Sequence, residues 1–241
     1  MNVDIVDKLG DDLTVVNAAR VSFDKESSWE HLGTREMGVT GRLSSLDLKE
    51  KDKKLLKYLA KHQHWSPFSH VQLQFRIKAP LFVARQLGKH QVGLAWNEVS
   101  RRYVSSEPEF YTPDVWRGVA EDKKQGSSDK EIDINPVHPN GLRPFSNDYE
   151  LALIKAKWTY ETLLRRGVCP EQARMVLPQS TYTEWYWTGS LYAFARICKL
   201  RMADDTQKET RFIAESIDKH CKYLYPNSWM ALMREYNDEQ E

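Results

Sequence analysis

Three polar clusters in the 241-residue sequence combine residue types that are costly to bury with aromatic and aliphatic neighbours. The densest, RQLGKHQVGLAWNEVSRRYV from Arg85 to Val104, carries Arg85, Gln86, Lys89, His90, Arg101 and Arg102 beside Asn97, Glu98 and Ser100. A guanidinium fork matches phosphate oxygens, a hydroxyl and backbone N–H groups complete an anion cradle, and an amide reads the edge of a heterocycle. That is the inventory of a nucleotide site; the competing reading is a solvated, salt-bridged helix and loop. The second cluster, KHQHWSPFSH, holds His62, His64, Ser66 and His70. Pro67 interrupts a helical arrangement of the imidazoles, and no carboxylate or thiolate stands at a supporting spacing. A helix end and turn with partly exposed rings is therefore favoured over a metal centre. The third comprises Arg174 in EQARMVLP with Arg196, Arg201, Asp205 and Gln207 in ARICKLRMADDTQKETR. Arg174 is read as lying on a packed segment, where an arginine calls for an anionic partner from the protein or a ligand.

The elements that must hold these clusters follow from periodicity. Val71, Leu73, Phe75 and Ile77 alternate with Gln72, Gln74 and Arg76, the period of a half-buried strand. Pro80 then permits a first helical turn into LFVARQLGKH, so the strand delivers a helix bearing Arg85, Gln86, Lys89 and His90. Upstream, the opening residues read as a short apolar strand, 24–47 as loop, and 48–62 as an amphipathic helix. Residues 147–166 return to helical spacing, with an Asn147/Glu150 capping box and Gly167 as the stop. Further helices are expected over 171–177, 186–200, 206–223 and 228–236, with the aromatic run YTEWYWTGSLYAF taken as core or subunit interface. Residues 114–144 read as a mobile loop or insertion in an otherwise single domain spanning 1–241. The expected fold class is α+β, mostly helical, with a small antiparallel sheet in the first half of the chain.

Composition narrows the classes. Hydrophobic residues make up 41% of the chain and aromatic residues 11%, too apolar for a disordered protein. Lys and Arg number 35 against 34 Asp and Glu, a net charge of +1 that does not suit a nucleic-acid-coating protein. No stretch approaches the roughly 20 apolar residues of a membrane span, and the first residues lack a signal-peptide pattern, so no membrane partner and a cytoplasmic location are expected. Cys169, Cys198 and Cys221 fit neither a disulfide framework nor a zinc pattern, and neither a Walker loop nor a Gly-x-Gly-x-x-Gly fingerprint is present.

Taken in order, NAARVSF, HWSPFSH, IKAPLFVARQ, NEVSRRY, EQARMVLP and KLRMADDTQKETR give the sequence a resemblance to the flavin-dependent thymidylate synthases over most of its length. The family signature is Arg-His-Arg, seven residues, then Ser-x-Arg. The matching positions here are Lys89, His90 and Gln91, eight residues, then Ser100, Arg101 and Arg102. The resemblance implies that Gln86, Lys89, Glu98, Ser100, Arg101, Arg102, Arg174 and Arg201 bind deoxyuridylate (dUMP). It likewise implies that His64, Ser66, Lys89, His90, Gln91 and Asn97 lie on the flavin or folate side. Ser190 and Arg196 stand where the family has flavin-contacting asparagines, and Asp205 replaces a histidine. The implied reaction is reductive methylation of dUMP at C5, with methylenetetrahydrofolate as carbon donor, FAD as hydride carrier and NADPH as reductant, in a homotetramer whose active sites draw on several subunits. Within it Arg174 would polarise the pyrimidine, while Ser100 and Arg102 hold phosphate and no enzyme thiolate is needed. A nucleotide- or nucleic-acid-binding module and an inactive descendant of the family are the alternatives.

Overall fold

The alternation along Gln72–Pro80 (β4) is obeyed in a computed structural model of the chain, which describes residues 1–37, 41–120, 127–134 and 145–234. Leu73, Phe75, Ile77 and Ala79 are buried, while Gln72, Gln74, Arg76 and Lys78 take the other face. This strand lies inside an antiparallel sheet of order β1-β4-β8-β5, in which β1 is Asn2–Leu9, β8 is Tyr182–Ser190 and β5 is Leu94–Glu98. The sheet therefore unites both halves of the chain, and the expected helix over 186–200 must be divided. Its first part is strand β8 and its remainder is helix α6, Leu191–Arg201. The physical reason is a period of two: Trp185, Trp187 and Gly189 turn inward while Tyr186 stays 42% exposed.

Register brings the large side chains together. Phe75 faces Trp187 and Ile77 faces Trp185 across β4 and β8, and Trp96 of β5 stacks on Trp185 with ring centroids 4.4 Å apart. Phe194 of α6 meets Phe75 and Trp187 edge-on at 5.0 and 5.5 Å. Each such fully buried aromatic or large aliphatic side chain stabilises the fold by about 1.5–3 kcal/mol. Trp185, Trp187 and Phe194 of the aromatic run are thus core, one of the two settings its composition led us to expect. Gly189 makes the β5–β8 approach possible, because a Cβ there would run into Leu94 and lie 2.8 Å from the Gly93 carbonyl oxygen.

The remaining elements build a helical layer. They are α1 (Asp12–Arg20), α2 (Glu50–Lys61), α3 (Leu81–Leu87), α4 (Phe145–Arg165), α5 (Pro170–Ala173), α7 (Lys208–Leu224) and α8 (Pro226–Met233). Pro80 closes β4 and caps α3, but α3 ends at Leu87, so Lys89 and His90 sit in the following turn rather than on the helix. The start of α4 lies upstream of Asn147, which is already helical, so the anticipated capping box does not form; Gly167 ends the segment with φ +84°. The 24–47 stretch is not simply loop: strands β2 (Glu30–Met37) and β3 (Gly41–Asp47) pair antiparallel. Residues 114–144 likewise hold a short ladder of β6 (Arg117–Val119) and β7 (Ser127–Glu131). The loop readings at Gly38, 121–126 and 135–144, and the end of the last helix at Tyr236, lie outside the described residues.

Candidate active site

The C-terminal end of α3 and the turn after it present Gln86, Lys89 and His90 to the junction of α6 and α7. Gln86 is held at both ends of its amide: Nε2 donates to Gln207 Oε1, and Oε1 accepts from Thr210 Oγ1 at 3.0 Å. Arg201, at the C-terminus of α6, donates from Nε to His90 Nε2 at 3.0 Å. That bond requires a neutral imidazole with its proton on Nδ1. Burial and the charges of Arg201 and Arg196 all push the His90 pKa below its usual value, in agreement. Gln86, Lys89, Arg201, Asp205 and Gln207 line a cavity of about 580 Å³.

Two further cavities continue along α6. Lys89 and Leu200 are shared with one of about 520 Å³ that also has His90, Gln91 and Arg196 in its wall. Arg196 and Lys199 are shared in turn with a third of about 260 Å³, where His64, Trp65 and Tyr192 stand. The result is a trough walled by Lys89, Arg196, Lys199 and Arg201, with aromatic rings at one end. Its cations suit an elongated, multiply charged anion and its rings suit a planar group. Ser66 is exposed beside the trough's histidine end, at the start of the Pro67–Ser69 turn, and His62, His64 and Tyr58 form a small aromatic group at the end of α2. Ser190 is buried, its hydroxyl accepting from Ala193 N at 3.2 Å as the N-cap of α6, and Asn97 is exposed on β5.

The other predicted residues gather elsewhere. Glu98, Arg101 and Arg174 line a separate cavity of about 240 Å³ that Lys78 and Glu109 also wall. Glu98 is oriented by Thr183, whose hydroxyl donates to Oε1 at 2.7 Å, and Arg101 donates to the Ser106 carbonyl at 2.8 Å. The Ser100 hydroxyl accepts from Arg102 N at 3.3 Å, and Arg102 pairs loosely with Glu171 at 3.5 Å. Arg174 opens a 3-10 turn over 174–176 and is exposed, as is Met175 at 78%. The packed setting expected for Arg174 is therefore corrected: only Ala173 of its neighbours is inward, because the turn is too short to bury a face. The site residues thus fall into two groups on one chain, one around Gln86, Lys89 and Arg201 and one around Glu98, Ser100, Arg102 and Arg174.

Cys198 and Cys221 are buried among apolar side chains, and burial pushes both thiols well up, so neither supplies a thiolate. Among the described residues no group of three or more His, Cys, Asp or Glu could hold a metal, and no helix is long and apolar enough to cross a membrane. The sequence reading passed over Arg117, Lys199, Glu209 and Thr210. Glu209 carried a usable signal, since it precedes Ile213 and Ile217 at a spacing of four and so shares their buried face.

Residues 4–227 match the family model described as "Thymidylate synthase complementing protein". A flavin-dependent thymidylate synthase of Thermus thermophilus is 36% identical over 234 residues, which cover 95% of this chain and 74% of that relative. Its counterpart in Thermosipho africanus is 34% identical over 231 residues, covering 95% of this chain and 90% of that one. Among solved structures, the UMP/dUMP methylase PolB of Streptomyces cacaoi bound with 5-Br dUMP superposes with a TM-score of 0.72 at 26% identity, over 95% of this chain and 93% of that one. With this fold, these blocks and these relatives, the chain belongs to the flavin-dependent thymidylate synthases.

Proposed function

We propose that this chain converts dUMP to thymidylate by reductive methylation, with methylenetetrahydrofolate as carbon donor and NADPH as the reductant for bound FAD. The observation that carries the reading is the cationic trough along α6, in which Gln86, His90 and Arg201 are fixed by hydrogen bonds between protein side chains. Preorganised donors of this kind act on charge that develops during reaction without reorganising at that moment. The donor set also fits the flavin nucleotide: Lys89, Arg196 and Lys199 offer counter-charge for a pyrophosphate, and Trp65 and Tyr192 offer ring faces. Bound FAD supplies the two-electron carrier, and the protein's part is to hold and orient it. His64, Ser66, His90, Gln91, Asn97, Ser190, Arg196 and Asp205 are assigned to the flavin and folate side.

Gln86, Lys89 and Arg201 bind dUMP from one wall, and Glu98, Ser100, Arg101, Arg102 and Arg174 from the other. Arg174 polarises the pyrimidine, while Ser100 and Arg102 hold the phosphate. Ser100 is no nucleophile, because its hydroxyl accepts from Arg102 N and no base stands beside it. Gln86, Lys89 and Arg201 line one cavity of the chain and Glu98, Arg101 and Arg174 another, which supports a homotetramer that joins the two walls across subunits.

The test is anaerobic turnover. The purified protein is loaded with FAD, its absorption spectrum is recorded, and dUMP, methylenetetrahydrofolate and NADPH are added with thymidylate assayed and UMP offered in parallel. Flavin reoxidation in step with thymidylate formation supports the reading. Tight flavin binding without any methylated product points to an inactive descendant, and preferential methylation of UMP moves the substrate to the ribonucleotide.

A further inference from the structure

The dUMP cavity has one wall that neither the family blocks nor the sequence clusters anticipated. Besides Gln86, Lys89 and Arg201, it is lined by Arg117 and Ser127, one from each strand of the β6–β7 hairpin. Arg117 is held from behind. Its Nη2 donates to both carboxylate oxygens of Glu209, at 2.8 and 2.9 Å, and its Nε donates to Ser127 Oγ at 2.8 Å. Glu209 is only 5% exposed, sits in the first turn of α7, and also accepts from the Tyr111 hydroxyl at 3.3 Å. Burial raises the Glu209 pKa, but the hydrogen bond and charge of Arg117 outweigh it and leave the carboxyl below its usual value, hence ionised.

A guanidinium has five N–H donors, and three of them are committed here. The Nη1 pair has no partner among the described residues, although the side chain is only 19% exposed and borders the cavity. Glu209 balances the charge from the protein side, so the Nη1 edge is left to offer two donors to a ligand. Arg117 and Ser127 also line a second cavity, of about 450 Å³, whose wall includes Phe82, Tyr111, Trp116 and Tyr149, with Phe82 against Tyr111 and Trp116 against Tyr149 edge-on. Arg117 shares the wall of the Gln86 cavity with Lys89 and Arg201, which brings three cations to it.

We propose that Arg117, locked by Glu209 and Ser127, is a further substrate-binding residue that donates its Nη1 edge to the phosphorylated nucleotide in the Gln86–Arg201 cavity. The inference rests on the dUMP reading above and adds the hairpin to that site. It is tested on the FAD-loaded protein by calorimetric titration with dUMP, by kcat and KM for dUMP, and by thermal denaturation. Three variants are compared: Arg117→Gln, Arg117→Lys, and the double variant Arg117→Gln with Glu209→Gln. The double variant removes both charges, so no uncompensated carboxylate stays buried, and Arg117→Lys keeps a cation beside Glu209 while losing the second arm of the fork.

We expect the double and Lys variants to retain bound flavin and to lose dUMP affinity by about tenfold to a hundredfold, the worth of one or two charge-assisted hydrogen bonds. KM for dUMP should rise more than kcat falls. If wild type binds dUMP and both variants bind within twofold of it, Arg117 is structural and the proposal fails, whatever happens to thermal stability. A wild type that binds no dUMP at all overturns the functional reading and this one together.

Discussion

Arg201 Nε donates to His90 Nε2 at 3.0 Å, tying the end of α6 to the turn after α3 through an imidazole that must be neutral to accept. His90 is pushed below its ordinary pKa first by burial, then by Arg201 and Arg196. In the unfolded chain it would protonate near an ordinary value of about 6.5. The folded state therefore binds fewer protons in the window just below that value. The resulting contribution to stability is present above it and is lost as pH falls toward the depressed folded pKa. An NMR titration should place the His90 midpoint below the ordinary histidine value of about 6.5, and Arg201→Gln should move it upward. A His90 midpoint at or above that ordinary value would contradict the geometry.

Arg174→Ala separates chemistry from folding. The side chain is exposed on a short turn, so its removal should shift unfolding free energy by no more than about 0.5 kcal/mol. If Arg174 polarises the pyrimidine as proposed, its loss should lower kcat by about a hundredfold or more. Urea unfolding and steady-state assays of the same preparation check both halves, and turnover close to wild type would remove Arg174 from the reaction.

The fold has its own test at Asp12. This carboxylate is 2% exposed and accepts from the backbone N–H groups of Asn227 and Ser228, both at 2.9 Å, capping α8 from a residue 215 positions away in the sequence. Asp12→Ala leaves two donors at a buried helix end without a partner, and should cost about 2–3 kcal/mol in urea unfolding. Asp12→Asn, which keeps an acceptor oxygen, should recover part of that loss.

How much of this was legible in the sequence depends on whether the signal is local. Strand β4 announced itself by alternation, and the cations of the site by type and spacing, because both are properties of adjacent residues. Strand β8 did not. Trp185, Tyr186 and Trp187 form an unbroken aromatic run, and such a run reads equally well as buried helix until its pairing partners β4 and β5 are known. Partnerships were less visible still. Gln86 is fixed by Gln207 and Thr210, 121 and 124 positions away, and Arg117 by Glu209, 92 positions away. No periodicity encodes such pairs. The β6–β7 hairpin lay in a stretch rich in Gly, Ser and charge, whose composition speaks for loop while two short strands pair within it.

The division of the site residues between two cavities makes the subunit arrangement testable by mixing. Arg201→Ala disables the wall around Gln86 and Lys89, and Arg102→Ala disables the wall around Ser100 and Arg174. If each active site takes one wall from one subunit and the other wall from a neighbour, each variant alone should be nearly inactive. Hetero-oligomers reassembled from equal amounts should then regain roughly a quarter of wild-type activity. That fraction follows from the symmetry: a site is intact only when the Arg102 variant supplies the first wall and the Arg201 variant the second, each with even odds under random assembly. Both walls coming from the same chain would leave every site carrying one defect, and mixing would restore nothing. Activity of dissociated and reassembled mixtures, read against each variant taken through the same procedure alone, separates the two arrangements.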